Sequence, residues 1–362
     1  MPKKAMWVTL GVRGNAGDAL IYQTTRKLFD GLVDLDFRTV GDPKYVKFAR
    51  TAPANVIIGP GGILARTNSA RHVQRKFDAQ WSRFDDSRMF VWSSGILETP
   101  REDELPILQK ILRKSERIVV RASKEADFIR KVDPAAEPRM LPCSSLFTDR
   151  LLGTPKQVND IVVVNLDAHL FTEENIANHP LRRFKAYAEA EGLEVRGMVN
   201  AYGDSNRYSL DLFPLIDADQ ALFHDVLATE PDSKTFNREY TARLQQVDDF
   251  GARYTGSRFA FGKRLHGWLP FLAFDQPAAF IGMNARQGMP NDYFGNYHFL
   301  AKVPRRARLG RDELDGMANS LIGKLNYFIH NEDRLSAEIA ERREKLWGDM
   351  TSGAREFAEA LR

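Results

Sequence analysis

The chain has a single cysteine, Cys143. That excludes an intrachain disulfide and any zinc site built from several thiolates, and it fits a reducing compartment. Long hydrophobic runs are missing as well. The most apolar long stretch, Trp268 to Met283, is interrupted by Pro270, Asp275 and Pro277, whereas a membrane-spanning helix needs about 20 apolar residues in a row. Charge of one sign is scarce: 52 Lys+Arg against 48 Asp+Glu leave a net +4. So weak a bias admits anionic ligands or an anionic membrane surface but makes no case for nucleic acid. Neither GxGxxG nor a P-loop occurs, so the common nucleotide fingerprints are absent. No HExxH and no paired His/carboxylate spacing is found, and the expectation is a site without metal.

At 43% hydrophobic, 28% charged and 10% aromatic residues, the composition excludes a disordered chain. A length of 362 residues suggests two domains at roughly 100–200 residues each. The N-terminal apolar run, Ala5 to Val12, is too short for a secretory leader and is followed by Arg13 and a glycine-rich turn. It reads as a buried first strand of a cytoplasmic protein.

Short, continuously apolar runs mark candidate strands at Trp7–Val12, Val56–Ile58, Met89–Trp92, Arg117–Val120, Ile161–Asn165, Glu194–Met198, Phe259–Phe261 and Ala278–Ile281. Apolar residues at every position suit strands covered on both faces. Helical patterns separate them at Ala19–Leu32, Glu102–Ser115, Ser123–Val132 and Pro180–Glu191. The alternation predicts parallel α/β sheets in two doubly wound, Rossmann-like halves facing a cleft. Gly153 and Pro155 mark a boundary in the polar stretch Leu152–Asp160, giving domains over 1–155 and 156–310. Residues 311–362 read as a tail of two or three amphipathic helices, dense in Glu/Arg pairs over Leu335–Trp347. The stretch 200–258 shows no clear pattern.

Four segments carry the residue types that chemistry needs. Gly14-Asn15-Ala16-Gly17-Asp18 lies between the first strand and a helix. Small residues there let backbone approach a ligand, and a helix N-terminus aims N–H groups at it. Equally, Asp18 could serve only as a helix cap. Gly59-Pro60-Gly61-Gly62 ends the second apolar run, where open α/β sheets form ligand clefts. The alternative is a tight turn that needs positive φ. Ser93-Ser94-Gly95 fits the same edge. Arg121, after the RIVV strand, suits bidentate recognition of a carboxylate or phosphate, against the ordinary fate of an arginine in a surface ion pair.

The most informative segment runs from Phe259 through Gly262, Lys263, Arg264, Leu265, His266 and Gly267 to Pro270. Pro270 is accepted in the first turn of a following helix. In a still-extended segment, Arg264 and His266 lie two apart and face one side, with Leu265 turned to the core. Cations beside an imidazole at a helix N-terminus make an anion site with a proton-transfer group attached. The same surroundings favour a neutral imidazole at pH 7. His169, His179 and His224 lie in ordinary polar contexts, and Cys143 has no neighbouring histidine to activate it.

At these segments the chain resembles the polysaccharide pyruvyl transferase family. GNAGDALIYQ, GPGGIL, VVRASKEADFI and KRLHGWLPFLAFDQPAAFIG carry the resemblance, in an order and spacing that fit over most of residues 7–300. It implies a two-domain GT-B-like fold, and transfer of the enolpyruvyl-derived group of phosphoenolpyruvate onto sugar hydroxyls to form a pyruvate ketal on a bacterial surface glycan. Arg264 and His266 match the family's Arg-x-His donor motif and are the implied catalytic pair. Arg121 matches the arginine of its middle motif, and Lys263 and Gly267 complete the donor side. Gly14, Asn15, Gly17 and Asp18 match its N-terminal glycine turn, which joins Gly61 and Gly62 on the acceptor or cleft side. Departures from the usual pattern fall at Ala19, at Ala122 and in QGMPNDYFG, which ends at Gly295.

Phosphoenolpyruvate is then a co-substrate, with no further cofactor. The implied acceptor is a saccharide or lipid-linked oligosaccharide, met through peripheral contact at the inner membrane. Two other readings stay open: a GT-B sugar-nucleotide-dependent glycosyltransferase, and a non-catalytic glycan-binding relative.

Overall fold

The computed structural model describes residues 2–9, 16–39, 53–62, 64, 78–79, 81–95, 102, 105–165, 180–198, 251–282, 285–302 and 310–361. Gly14, Asn15, His169, His179, His224 and residues 200–250 lie outside them. The chain divides into two compact units. The first holds Met1–Gly11, Ile21–Ser144 and Lys345–Arg362, the second Val12–Leu20 and Ser145–Glu344.

In the first unit, strands β1 (Lys3–Thr9), β2 (Val33–Thr39), β3 (Asn55–Ile58), β4 (Arg88–Ser94), β5 (Ser115–Val120) and β6 (Arg139–Met140) form a sheet in the order β2-β1-β3-β4-β5-β6. Every pairing is parallel. Side chains alternate across a strand, and that alternation gives the sheet two different faces. Met6, Val8, Met89 and Val91 join an aliphatic core with helices α2 (Leu105–Lys114) and α3 (Ser123–Val132). Their neighbours Trp7, Phe90 and Trp92 point the other way, into an aromatic cluster. There Phe29 lies 5.5 Å from Trp7 and 4.8 Å from Trp92, and Phe357 lies 4.9 Å from Trp92, all edge to face. Helix α1 (Ala16–Leu28) precedes Phe29.

The second unit repeats the plan. Strands β7 (Ile161–Asn165), β8 (Glu194–Gly197), β9 (Phe259–Gly262), β10 (Ala278–Gly282) and β11 (Leu300–Lys302) pair in parallel in the order β11-β10-β9-β7-β8. Its helices are α4 (Thr148–Leu152), α5 (Pro180–Ala190), α6 (Leu269–Leu272), α7 (Met289–Phe294) and α8 (Arg311–His330). Phe261 meets Phe184 of α5 at 5.2 Å and Phe328 of α8 at 5.7 Å. Buried Leu314, Met317, Ala318, Leu321, Leu325 and Phe328 follow the helical period and form one stripe of α8.

The tail is two helices, α8 and the long α9 (Glu332–Ala360). Not all of its charge is solvated. Arg343, in the Leu335–Trp347 stretch, is 3% exposed. Its guanidinium donates to Asp275 at 2.7 Å, Asp149 at 2.5 Å and the Leu146 carbonyl. A buried guanidinium is tolerable only when its donors are taken up in this way.

Three strands escape the sequence reading. β2, at the sheet edge, alternates acidic and apolar residues, and β6 and β11 are two and three residues long. Among the described residues no helix is long and apolar enough to cross a membrane.

Candidate functional site

Both sheets reverse their strand order once: between β1 and β3 in the first, and between β7 and β9 in the second. In open α/β sheets the carboxyl ends of the strands at such a reversal are the standard ligand position. The two glycine-bearing segments singled out from sequence fall on these two places.

In the first unit, Gly59-Pro60-Gly61-Gly62 leaves the end of β3. Gly59 donates to the Val8 carbonyl of β1 at 2.9 Å, and Gly95 donates to the Gly61 carbonyl at 2.8 Å. Gly59 has φ +119 and Gly61 φ +106, so the conformational demand behind a glycine turn is present. At Gly59 a Cβ would strike the Trp92 carbonyl oxygen. Arg121 directly follows β5 on the same edge. It is 1% exposed, so it is no surface arginine. Its guanidinium lies against Gly95 and 3.8 Å from the Glu125 carboxylate, which accepts the Arg121 backbone N–H at 2.8 Å.

In the second unit, Asn165 ends β7 and pairs in register with Gly262, the end of β9. The next residues are Lys263 and Arg264, both half-exposed, then buried Leu265, His266 and Gly267. The expected extended geometry gives way here. Arg264 is extended, with φ −82 and ψ 148, but Leu265–Gly267 is a 3₁₀ turn. The reason is local. Gly267 N–H donates to the Arg264 carbonyl at 3.0 Å and closes the turn, so the strand's two-residue alternation no longer relates Arg264 to His266. Leu265, 1% exposed, does turn to the core. Pro270 sits in the first turn of α6.

The expected helix dipole also has a different source. α6 is four residues long, too short to sum an appreciable macrodipole. Instead His266 lies against the first turn of the 13-residue helix α1. A Cβ on Gly17 would fall 2.5 Å from His266 Nδ1, so glycine is what lets the imidazole pack there. His266 is 8% exposed. Asp18 lies inside that first turn rather than capping it, where an acidic side chain complements the helix N-terminus.

Gly17 and His266 are thus brought together, in one unit with Asp18, Lys263, Arg264 and Gly267. Gly61, Gly62 and Arg121 belong to the other unit. Sequence reasoning missed Asn165, whose only signal was an amide at the end of an apolar strand. An open groove of about 700 Å³ in the first unit is lined by Arg113, Arg117, Arg139, Glu116 and Glu356 among others, and by none of the predicted site residues. Among the described residues no group of three or more His, Cys, Asp and Glu is placed to hold a metal ion.

Two parallel-sheet α/β units with a helical C-terminus make this a GT-B-like protein. Residues 15–284 match the family described as polysaccharide pyruvyl transferase, and the chain belongs to that family. Membership makes it a transferase and implies a saccharide acceptor. No curated protein sequence matches the chain significantly. Among solved structures it is similar to S. aureus MnaA, solved with UDP, at 10% identity over 94% of this chain and 91% of that one, with a TM-score of 0.52. It is also similar to an uncharacterised Klebsiella pneumoniae protein (12% identity, 83% and 93% covered, TM-score 0.47). A third is the UDP-GlcNAc 2-epimerase of Methanocaldococcus jannaschii (9% identity, 88% and 92% covered, TM-score 0.48).

Proposed function

We propose that this protein transfers the enolpyruvyl-derived group of phosphoenolpyruvate to a sugar of a bacterial surface or exopolysaccharide precursor, forming a pyruvate ketal. The observation that carries the reading is the Lys263–Gly267 turn at the reversal of the second sheet, with two half-exposed cations next to a buried imidazole. Phosphoenolpyruvate presents a phosphate and a carboxylate, and Lys263 and Arg264 are the groups that would hold them.

The reaction balances without redox chemistry. The methylene carbon gains a proton, two acceptor hydroxyls add to the adjacent carbon and lose theirs, and phosphate leaves carrying the second proton. His266 is the residue for a proton transfer, with α1 fixing its ring through Gly17. In this reading the glycine turn at Gly14, Asn15, Gly17 and Asp18 serves the acceptor. The reaction needs no further cofactor. A lipid-linked oligosaccharide at the inner membrane face would serve as acceptor, reached from the cytoplasm.

A second reading, a sugar-nucleotide enzyme, is favoured by the likeness to MnaA, whose structure contains UDP. A thermal-shift titration separates the two. Phosphoenolpyruvate at about 100 times its Kd should add roughly 2.7 kcal/mol of stability, and Arg264→Ala should abolish the shift. Stabilisation by a UDP- or GDP-sugar with none from phosphoenolpyruvate would establish the second reading.

A further inference from the structure

The turn that carries the cations has no stable scaffold of its own. It is a single 3₁₀ turn between a four-residue strand and a four-residue helix. Part of what holds it is one residue at the end of the neighbouring strand. Asn165 is fully buried. Its backbone carbonyl accepts the Lys263 N–H at 2.9 Å. Its side-chain Oδ1 accepts the Arg264 N–H at 3.3 Å, and its Nδ2 donates to the Met198 carbonyl beyond β8 at 2.9 Å. Gly267, at the far end of the turn, packs directly on the same amide, and a Cβ there would overlap Oδ1. One residue therefore touches the turn at its first, second and last positions and ties it to the loop after β8.

We propose that Asn165 is the positioning residue of the donor turn, setting the approach of Lys263, Arg264 and His266 to their anionic ligand; the ligand's identity rests on the function proposed above. An amide fits the task where its isosteres do not. Oδ1 must accept and Nδ2 must donate, so leucine supplies neither bond. Aspartate would aim an acceptor at the Met198 carbonyl and place a negative charge beside two cations meant for an anion.

The test reads the turn and the ligand separately. Hydrogen exchange of the segment 262–268 is compared between the full-length protein and Asn165→Ala, with a melting curve as control. Calorimetric titration with phosphoenolpyruvate follows. Exchange at the Arg264 amide should rise about tenfold while segments of the first unit stay as they were. The phosphoenolpyruvate Kd should weaken about tenfold at unchanged binding stoichiometry. A merely structural role would lower the folded fraction, and so the stoichiometry, and leave Kd where it was. Unchanged exchange over 262–268 overturns the proposal, whether or not phosphoenolpyruvate binds. Failure of the natural chain to bind phosphoenolpyruvate overturns only the donor assignment, because the exchange result still stands. Should Asn165→Ala not fold, Gly267→Ala displaces the same amide from the opposite side and must raise exchange at Arg264, or the proposal falls.

Discussion

The two sheets share a strand order and place a basic segment at the carboxyl edge, yet the two edges treat their cations in opposite ways. On the first, Arg121 is sunk beneath Gly95 and paired with Glu125 at 3.8 Å, with 1% of its surface exposed. On the second, Lys263 and Arg264 stay half-exposed while the imidazole behind them is buried. A guanidinium buried beside a carboxylate is tied to the fold, because removing it leaves that buried charge uncompensated. A partly buried cation at a sheet edge still reaches solvent, and so a ligand. On the function proposed above, the first edge is a glycine-lined wall and the second the place where charge meets substrate.

That contrast can be broken by substitution. The largest effect is expected at Gly59→Ala, where a Cβ would strike the Trp92 main chain and φ is +119. We expect loss of more than about 4 kcal/mol or failure to fold, read by denaturant unfolding. Arg121→Met should cost about 3–5 kcal/mol by leaving the Glu125 carboxylate buried without its counter-charge. If Arg121→Met melts like the natural chain, the buried arginine is not structural and the contrast fails. Arg264→Ala should do the reverse. Stability should change less than for Arg121→Met, because Arg264 is only partly buried. Phosphoenolpyruvate affinity should drop about 100-fold, the value of one strong charge-assisted hydrogen bond.

How far the sequence carried this picture depends on what each element is made of. Strands buried on both faces, such as Ile161–Asn165, were legible to the residue because continuous burial leaves continuous apolarity. β2, which mixes Asp34 and Asp36 with apolar residues, was not, because one of its faces is left to solvent: Val33 is buried while Asp34 is exposed. Helix α3 was read at its true bounds, Ser123–Val132. In the site, the residue types of Lys263-Arg264-Leu265-His266 were evident, but their geometry was not. The 3₁₀ turn is set by Gly267, by the Asn165 side chain and by a helix more than 200 residues upstream in sequence, and no local window contains them. Arg343 shows the same limit: the local Glu/Arg pairing of its stretch gives no sign of its partners Asp149 and Asp275, which lie elsewhere in the chain.

The finest test of the second edge is Gly17→Ala. Alanine is a better helix former than glycine by about 1 kcal/mol, and α1 spans Ala16–Leu28, so propensity alone predicts stabilisation. Against it stands a Cβ placed 2.5 Å from His266 Nδ1 and 2.8 Å from its Cβ and Cγ. Overpacking of that kind costs about 1–3 kcal/mol and outweighs the propensity gain, so a net loss of about 1 kcal/mol is expected. The imidazole must shift to make room, so the two-dimensional NMR signal of the His266 ring should move while signals from the aromatic cluster of the first unit do not. A more stable protein with an unmoved His266 signal would mean that the packing of α1 on the imidazole is slack, and that α1 does not fix the ring.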